Sequence, residues 1–399
     1  NQVASYLTLF GMVISGSLSR HLTIALRQED EKEISPSEYF STSVFALQLV
    51  ALPLGLLIVL VNFNLSHLFA IPQGRETAAQ ILFGLTLWSS LISLVMTPYI
   101  LAPYVTNRFD LLNGLFLITN LGRVGLVVLF FEMGRPQIYW VGWATILATL
   151  SQAVIAIGLC KHLLPEVKVS LQHVNQKALA PLSKMSGWLL LDQLGTYFIL
   201  YIDLILINRL FGPAEGGRYG AVLQWVTMIW AISGTVASVF GPLSLYAFAD
   251  RDYQGLERTA RLGIKLVGVL VALPISLIAG FSPPLLKIWL GENFVPLAPL
   301  LTLLVLPLGL NLPINPLFHL QTASGKVALP AAVTIFTGAC NVALAYLLAV
   351  RLGWGLMGIA ASRAITLSFR NLFFTLPYTS QVMKISLGRL FSPLIRVAL

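Results

Sequence analysis

Five ionisable side chains lie inside apolar stretches of this sequence that are long enough to cross a lipid bilayer. They are two aspartates and three arginines: Asp192, Asp203, Arg123, Arg363 and Arg370. A charged group inside a bilayer is costly, so these side chains should line an aqueous cavity or pair with one another. The excess of arginine favours an anionic ligand such as a phosphate or diphosphate, because a guanidinium group offers two parallel donors to phosphate oxygens.

The spacing of these residues predicts which of them share a helix face. Asp192 and Asp203 are 11 positions apart, which on one helix places them within about 20° of each other. Arg363 and Arg370 are seven apart and share a face of the last apolar segment. Further polar side chains inside apolar segments extend the predicted cavity: Gln193, Asn341, Asn311 and Asn315.

A structural role remains open for each of these residues taken singly. Asp203 could pair with an arginine of a neighbouring helix and fix the packing. Arg370 could extend its side chain to the nearby aqueous boundary. Taken as a set, the group favours a polar cavity, and we predict a substrate-binding role for Arg123, Arg363, Arg370, Asp192, Asp203, Asn341 and Gln193.

Composition places the chain in a membrane and excludes several function classes. Of 399 residues, 57% are hydrophobic and only 10% are charged, against about 25% charged in soluble domains. The net charge of +9 comes from short loops without interleaved aromatics, so we expect no nucleic-acid partner. The sequence has no phosphate-binding loop, metal-binding motif or nucleophile motif, and we expect neither an enzyme nor a metal site. Asp250 and Asp252 are interpreted as solvated acids of a short loop.

The apolar segments predict an all-α, polytopic membrane protein with about eleven spans. Their expected positions are 3–24, 40–62, 79–102, 112–131, 138–160, 184–211, 219–247, 262–282, 297–320, 328–350 and 355–376. Sixteen lysines and arginines fall in the loops and C-terminal tail of one side, and six fall on the other. The basic side is predicted to be cytoplasmic. The protein is then expected in a cell inner membrane with its C-terminus in the cytoplasm.

Short sequence matches indicate an internal repeat of about half the chain. Ile14–Ser17 returns as Ile232–Thr235, 218 residues on, and Val50–Pro53 returns as Val271–Pro274, 221 on. The offset makes Asn341 the counterpart of Arg123. It predicts two pseudo-symmetric six-helix lobes, the first without its first helix, which suggests truncation of a twelve-span protein. The expected domains are a lobe at 1–160, a cytoplasmic linker at 161–183, a lobe at 184–376 and a basic tail at 377–399.

Several motifs resemble those of one transporter family. The stretch from Asp203 to Tyr219, DLILINRLFGPAEGGRY, is similar to a helix and turn of the polysaccharide and O-antigen flippases. Ala323–Lys326, then Asn341 and the glycines of 353–358, resemble the last three helices of that family. The similarity extends over the whole chain and includes the wider multidrug, oligosaccharidyl-lipid and polysaccharide exporter superfamily.

This resemblance implies two helical lobes around a central cavity and transport by alternating access. The implied substrate is an isoprenoid-pyrophosphate-linked oligosaccharide, and the implied partners are that substrate and membrane lipids, with the protein acting as a monomer. No cofactor is expected beyond a coupling proton or sodium ion held by an aspartate. A cation-coupled multidrug antiporter is the alternative. A glycan polymerase or ligase ranks lower because the outside loops are short, and a scaffold does not explain the buried charges.

Overall fold

The computed structural model describes residues 2–27, 34–65, 76–133 and 137–398, and these are helical without any strand. The expected all-α, polytopic fold class is therefore confirmed. Nine helical segments of the described chain are long and apolar enough to cross a membrane: 36–63, 76–95, 109–133, 139–163, 176–211, 213–249, 253–280, 292–324 and 328–351. The two remaining expected spans, 3–24 and 355–376, fall on helical residues.

The chain divides into two compact units, residues 1–187 and 188–399. The described helices of the first unit are α1 (Gln2–Arg27), α2 (Pro36–Phe63), α3 (Glu76–Val95), α4 (Thr97–Ile100), α5 (Ala102–Val105), α6 (Phe109–Met133) and α7 (Tyr139–Leu163). Helix α8 (Gln176–Leu200) contains the division between the units. The expected domain boundaries are close to this division but remain predictions.

The second unit continues with shorter segments, several of them broken within one predicted span. Its α-helices are α9 (Ile202–Phe211), α10 (Pro213–Ser238), α11 (Phe240–Ala249), α12 (Tyr253–Gly280), α13 (Ser282–Leu290), α14 (Ala298–Val305), α15 (Leu308–Asn311), α16 (Asn315–Ser324), α17 (Ala328–Tyr346), α18 (Gly355–Arg370), α19 (Leu376–Met383) and α20 (Leu387–Ala398). Two π-helical turns, Leu347–Arg351 and Asn371–Thr375, follow α17 and α18.

Each unit has its own buried apolar core. In the first unit, Leu18, Leu22 and Phe40 belong to a cluster that joins α1 and α2 to the end of α7. In the second unit, a large cluster around Val226, Val267 and Leu301 joins α10, α12 and α14. Because each unit buries its own aliphatic side chains, each can hold polar groups in fixed positions.

Two long helices begin with a side-chain cap. Ser35 caps α2 in a reciprocal box with Glu38, whose backbone N–H donates to Ser35 Oγ while its carboxylate accepts from the Ser35 N–H. Asp252 caps α12 by accepting the Gly255 N–H at 2.8 Å. Asp252, which the sequence indicates to be a solvated loop acid, is therefore the N-cap of α12, a common position for aspartate.

The basic segment between the expected lobes is held against α2. Ser37 and Ser41 of α2 exchange hydrogen bonds with the backbone of residues 166–170, and Thr42 does so with Asn175. These bonds satisfy backbone groups of a stretch with little regular structure. The segment at 161–183 is therefore ordered on the first unit.

Two of the interrupted spans carry predicted polar residues. The stretch from Lys184 to Gly212 is not one helix, because α8 ends at Leu200 and α9 begins after Tyr201, whose φ is −121° and ψ −14°. The prediction that one unbroken helix face carries Asp192 and Asp203 is wrong. The span at 297–320 breaks near Pro307 and Pro313, where the sequence predicts weakness because a proline cannot donate a helix hydrogen bond.

Candidate functional site

The polar side chains of the second unit converge on α18 and the π-helical turn that follows it. Buried polar residues recur with helical spacing along this stretch and into α19: Ser362, Arg363, Thr366, Arg370, Asn371, Thr375 and Thr379. Most of them bond to neighbouring helices, three of them to α17. Six of the seven predicted site residues lie in this unit, and Arg123 lies in the first.

A buried ion pair joins Arg363 to Asp203. The Nη1 atom of Arg363 lies 3.6 Å from Asp203 Oδ2, and the two side chains are 6% and 0% exposed. The same carboxylate oxygen accepts a hydrogen bond from the Tyr219 hydroxyl at 3.0 Å. Arg363 also donates to the carbonyl of Leu200, the last residue of α8, at 3.4 Å. Helices α8, α9, α10 and α18 are thus tied together at one charged point.

The second arginine reaches its aspartate through a threonine. Arg370 Nη1 donates to Thr334 Oγ1 at 3.1 Å, and that hydroxyl lies 2.7 Å from Asp192 Oδ1, to which it can donate. The guanidinium also lies over the Phe318 ring, 5.3 Å from its centroid. The Nε of Arg370 is buried without a hydrogen-bond partner among the described residues. A buried, unused donor on a guanidinium is available to an anion.

Asn341 joins three helices beside the Arg363–Asp203 pair. Its side-chain oxygen accepts hydrogen bonds from Ser362 at 3.1 Å and Thr366 at 3.2 Å, and its amide donates to the Phe198 carbonyl at 3.4 Å. The side chain is fully buried. Asn341 thus holds α17 against α8 and α18 at the height of Arg363.

The polar contacts continue past Arg370. Asn371, the first residue of the π-helical turn, donates to Asn311 Oδ1 at 2.8 Å, and Asn311 donates to Ser368 at 3.0 Å. In α19, Thr379 accepts a hydrogen bond from Gln321 of α16 at 2.8 Å. Asn311 lies at the proline-rich break between α15 and α16, so the break is held by side-chain amides.

Two glycines let α8 and α17 approach closely enough to form these contacts. A Cβ on Gly195 would lie 2.7 Å from backbone atoms of Thr334 and Ile335, and one on Gly338 would lie 2.8 Å from Phe198 Cβ. Real side chains do not fit at such distances. The close approach places Thr334 beside Asp192 and Asn341 beside Phe198, since each pair lies within about one helical turn of a glycine.

Two predicted site residues stand apart from this network. Gln193 is half-buried and takes part in none of the hydrogen bonds described above. Arg123 is exposed on α6, where Nη2 donates to Asn120 Oδ1 of its own helix at 3.2 Å. Within the second unit the buried arginines and the two aspartates balance, so the excess of positive charge depends on Arg123.

Several members of the network were missed by sequence reasoning. Thr334, Ser362, Thr366 and Asn371 are common residues of membrane helices and carry no charge to mark them. Their spacing of four from one another and from Arg370 is the only sequence signal for part of this set. Tyr219 lies in the flippase-like stretch, but its residue type and position alone predict no role for it.

A narrow crevice opens beside Arg363. Asn311, Pro307 and Ala360 line it together with Arg363, and its volume of about 10 Å³ is about the space of one water molecule. In this conformation the crevice is too small for a sugar or a diphosphate, so ligand binding here requires the surrounding helices to move.

Comparisons with known proteins identify a family and two similar membrane proteins. The profile of a family described as "Polysaccharide biosynthesis protein" matches residues 23–299. The uncharacterized membrane protein EpsK of Bacillus subtilis is 29% identical over 384 residues, which is 95% of this chain and 75% of EpsK. A candidate O-antigen transporter of Shigella flexneri is 24% identical over 245 residues, 58% of this chain and 57% of that protein.

Solved transporter structures share the fold. A variant of the Vibrio cholerae MATE transporter VcmN superposes with a TM-score of 0.78 at 15% identity, covering 98% of this chain and 88% of that one. A MOP-superfamily transporter from Pyrococcus furiosus gives a TM-score of 0.73 at 13% identity, covering 96% and 87%. The chain therefore belongs to the polysaccharide biosynthesis protein family, as the flippase-like motifs predict, and it is a multi-pass membrane protein with the fold of the MOP-superfamily transporters.

Proposed function

We propose that this protein moves isoprenoid-diphosphate-linked oligosaccharides from the inner to the outer leaflet of a cell inner membrane by alternating access. The observation that carries the proposal is the pair of buried arginines on one face of α18. Arg363 and Arg370 lie two turns apart, and Arg370 has a buried donor without a partner. A diphosphate offers several anionic oxygens to such a face.

The network also suggests how binding would drive a conformational change. In this structure Asp203 contacts the guanidinium group of Arg363, and Thr334 links that of Arg370 to Asp192. A diphosphate that replaced these partners would remove the contacts that the two arginines of α18 make with α9 and α17. Binding energy is then linked to helix movement, because the ligand favours the state in which the internal contacts are open.

The freed aspartates have a second role in this proposal. Once Asp203 loses Arg363, its buried carboxylate is left without a cation. An unpaired buried carboxylate is costly, so it would take up a proton or sodium ion. The proposed coupling ion therefore binds as the substrate displaces the arginine.

The similarity to a relative described as an O-antigen transporter supports this substrate class for our chain. The monomeric state and the cytoplasmic C-terminus belong to the same proposal. The basic residues of the loops after α1, α5, α7, α11, α16 and α19 support that orientation through the positive-inside rule.

The test is export of lipid-linked oligosaccharide in cells that lack their own flippase. Expression of this chain should restore surface glycan, and the drug-cation alternative predicts resistance to cationic drugs without surface glycan. Arg123→Ala should lower export with an unchanged melting temperature, because Arg123 is exposed and its hydrogen bond among the described residues is to Asn120 of its own helix. Full export by the Arg123 variant would remove that residue from the proposed site.

A further inference from the structure

A basic groove lies on the second unit, apart from the polar network. It runs between the first turns of α12 and the C-terminal helix α20, with a volume of about 580 Å³. Four basic side chains line it, Arg258, Arg261, Lys265 and Arg389, together with one carboxylate, Glu257.

The carboxylate of Glu257 offsets one of the four positive charges and joins the two helices that line the groove. Glu257 lies 2.8 Å from Arg389 and 3.6 Å from Arg261, so it ties α20 to α12 across the groove. Arg258 and Lys265 are exposed and have no carboxylate within ion-pair distance among the described residues. The groove thus contains two cationic side chains that have no ion-pair partner among the described residues.

The basic face of α12 continues directly into an apolar one. At about 100° per residue, Arg258, Lys265 and Val269 lie within about 40° of one another. Val269 is 59% exposed, and Leu273, one turn further, is 67% exposed. Such large exposed aliphatic side chains on a membrane helix face acyl chains. The cations therefore lie where headgroups meet hydrocarbon.

Helix α20 completes this wall from the other side. Leu390 and Leu394 are buried in the cluster that also contains Leu256 and Ile264 of α12. Arg389, on the opposite side of α20, is 63% exposed in its side chain and faces the groove. An amphipathic helix with a basic polar face is typical of the membrane surface.

We propose that this groove binds the phosphate of an anionic glycerophospholipid of the leaflet that the positive-inside rule assigns to the cytoplasm. Arg258, Lys265 and Arg389 hold the phosphate, and the acyl chains run along Leu262, Val269 and Leu273. Arginine suits phosphate because its donors match two oxygens, and basic residues at the cytoplasmic surface attract anionic lipids. A soluble acidic partner is disfavoured, since it would not use the exposed aliphatic face.

The test measures lipid retention by native mass spectrometry of the purified full chain in detergent. The wild type, titrated with phosphatidylglycerol or phosphatidylcholine, should retain the anionic lipid preferentially. The Arg258→Gln/Lys265→Gln variant should weaken phosphatidylglycerol binding by about tenfold or more, as expected for two surface cations, and leave phosphatidylcholine unchanged. Both positions are exposed, so the melting temperature should stay the same.

A matched control removes two exposed cations from the opposite ends of the spans. Arg209 and Arg351 are exposed, and the Arg209→Gln/Arg351→Gln variant should bind phosphatidylglycerol like the wild type. Equal binding by the groove variant would overturn the proposal. So would tighter binding of undecaprenyl diphosphate than of phosphatidylglycerol at the same groove, because it would assign the groove to the transported carrier. The readout is binding and does not depend on whether the protein exports glycan.

Discussion

Each buried arginine of the second unit is matched by one aspartate, directly for Arg363 and through Thr334 for Arg370. Matching of this kind explains how two guanidinium groups are tolerated inside a membrane protein. It also explains why removing one partner alone is a poor test of function. Breaking a buried pair costs about 3–5 kcal/mol because the remaining charge is left unpaired.

A double substitution separates stability from ligand binding at the Arg363–Asp203 pair. We expect Arg363→Gln alone to lower the free energy of unfolding by about 3–5 kcal/mol, measured as thermal unfolding in detergent. Arg363→Gln combined with Asp203→Asn should recover most of that loss, since neither member of the pair is then charged. Export in cells should stay abolished in the double variant. Recovery of both stability and export would reduce the pair to a packing contact.

Arg370 offers a test of geometry at constant charge. Arg370→Lys keeps the positive charge but loses the planar donors and the contact with the Phe318 ring. Lysine does not replace arginine at stacked or two-point sites, so we expect export to fall at least about tenfold. Arg351→Lys, on an exposed residue, is the matched control and should export normally. Normal export by Arg370→Lys would show that only the charge matters.

Part of the site could be predicted from sequence because charge in an apolar segment is conspicuous. Charge points to Asp192, Asp203, Arg363 and Arg370, and the alternative that Asp203 pairs with an arginine describes its contact. Asn341 is uncharged and follows from its polarity inside an apolar segment. The bridging role of Thr334 could not be predicted, because it depends on the crossing of α8 and α17. Spacing alone also placed both aspartates on one helix face, since it assumes a continuous helix, and the break at Tyr201 makes that wrong.

At the scale of elements, α18 and its π-helical continuation organise the second unit. The turn at Asn371–Thr375 follows Arg370 directly. A π-helical turn shifts the register of the residues after it, and such turns are frequent at functional sites. The shift lets Asn371 reach Asn311 while Arg370 reaches Thr334. Neither π-helical turn could be predicted, because no residue type specifies it.

The approach of α8 to α17 gives an element-scale prediction. Gly195→Ala should push the helices apart, because its Cβ would lie 2.7 Å from the backbone of α17. The Asp192–Thr334 hydrogen bond would then lengthen, and we expect both a lower melting temperature and reduced export. Gly234→Ala in α10 meets no atom within 4 Å and should change neither. Identical melting curves for the two variants would contradict the packing argument.

At the scale of the whole molecule, the sequence predicted the helical membrane class and the family from composition and motifs. The fold of the solved transporters extends over nearly the whole chain. The sides of the membrane remain a prediction from the basic residues. That prediction is independent of the site and can be tested separately.

Labelling of single cysteines tests the orientation. Cys160 and Cys340 are free cysteines and would first be replaced by alanine. Arg351→Cys should react with a membrane-impermeant maleimide in intact cells, and Lys326→Cys should react only after permeabilisation, since both positions are exposed. The reverse pattern would invert the predicted orientation.

The most direct measurement of the central claim is translocation in proteoliposomes. Purified protein would be reconstituted with a labelled isoprenoid-diphosphate oligosaccharide, and its appearance in the other leaflet would be followed with a membrane-impermeant glycosidase. We predict that the wild type makes the inner-leaflet substrate accessible, whereas Asp203→Asn/Arg363→Gln, folded as judged by its melting temperature, does not. Accessibility no greater than in protein-free liposomes would contradict the account.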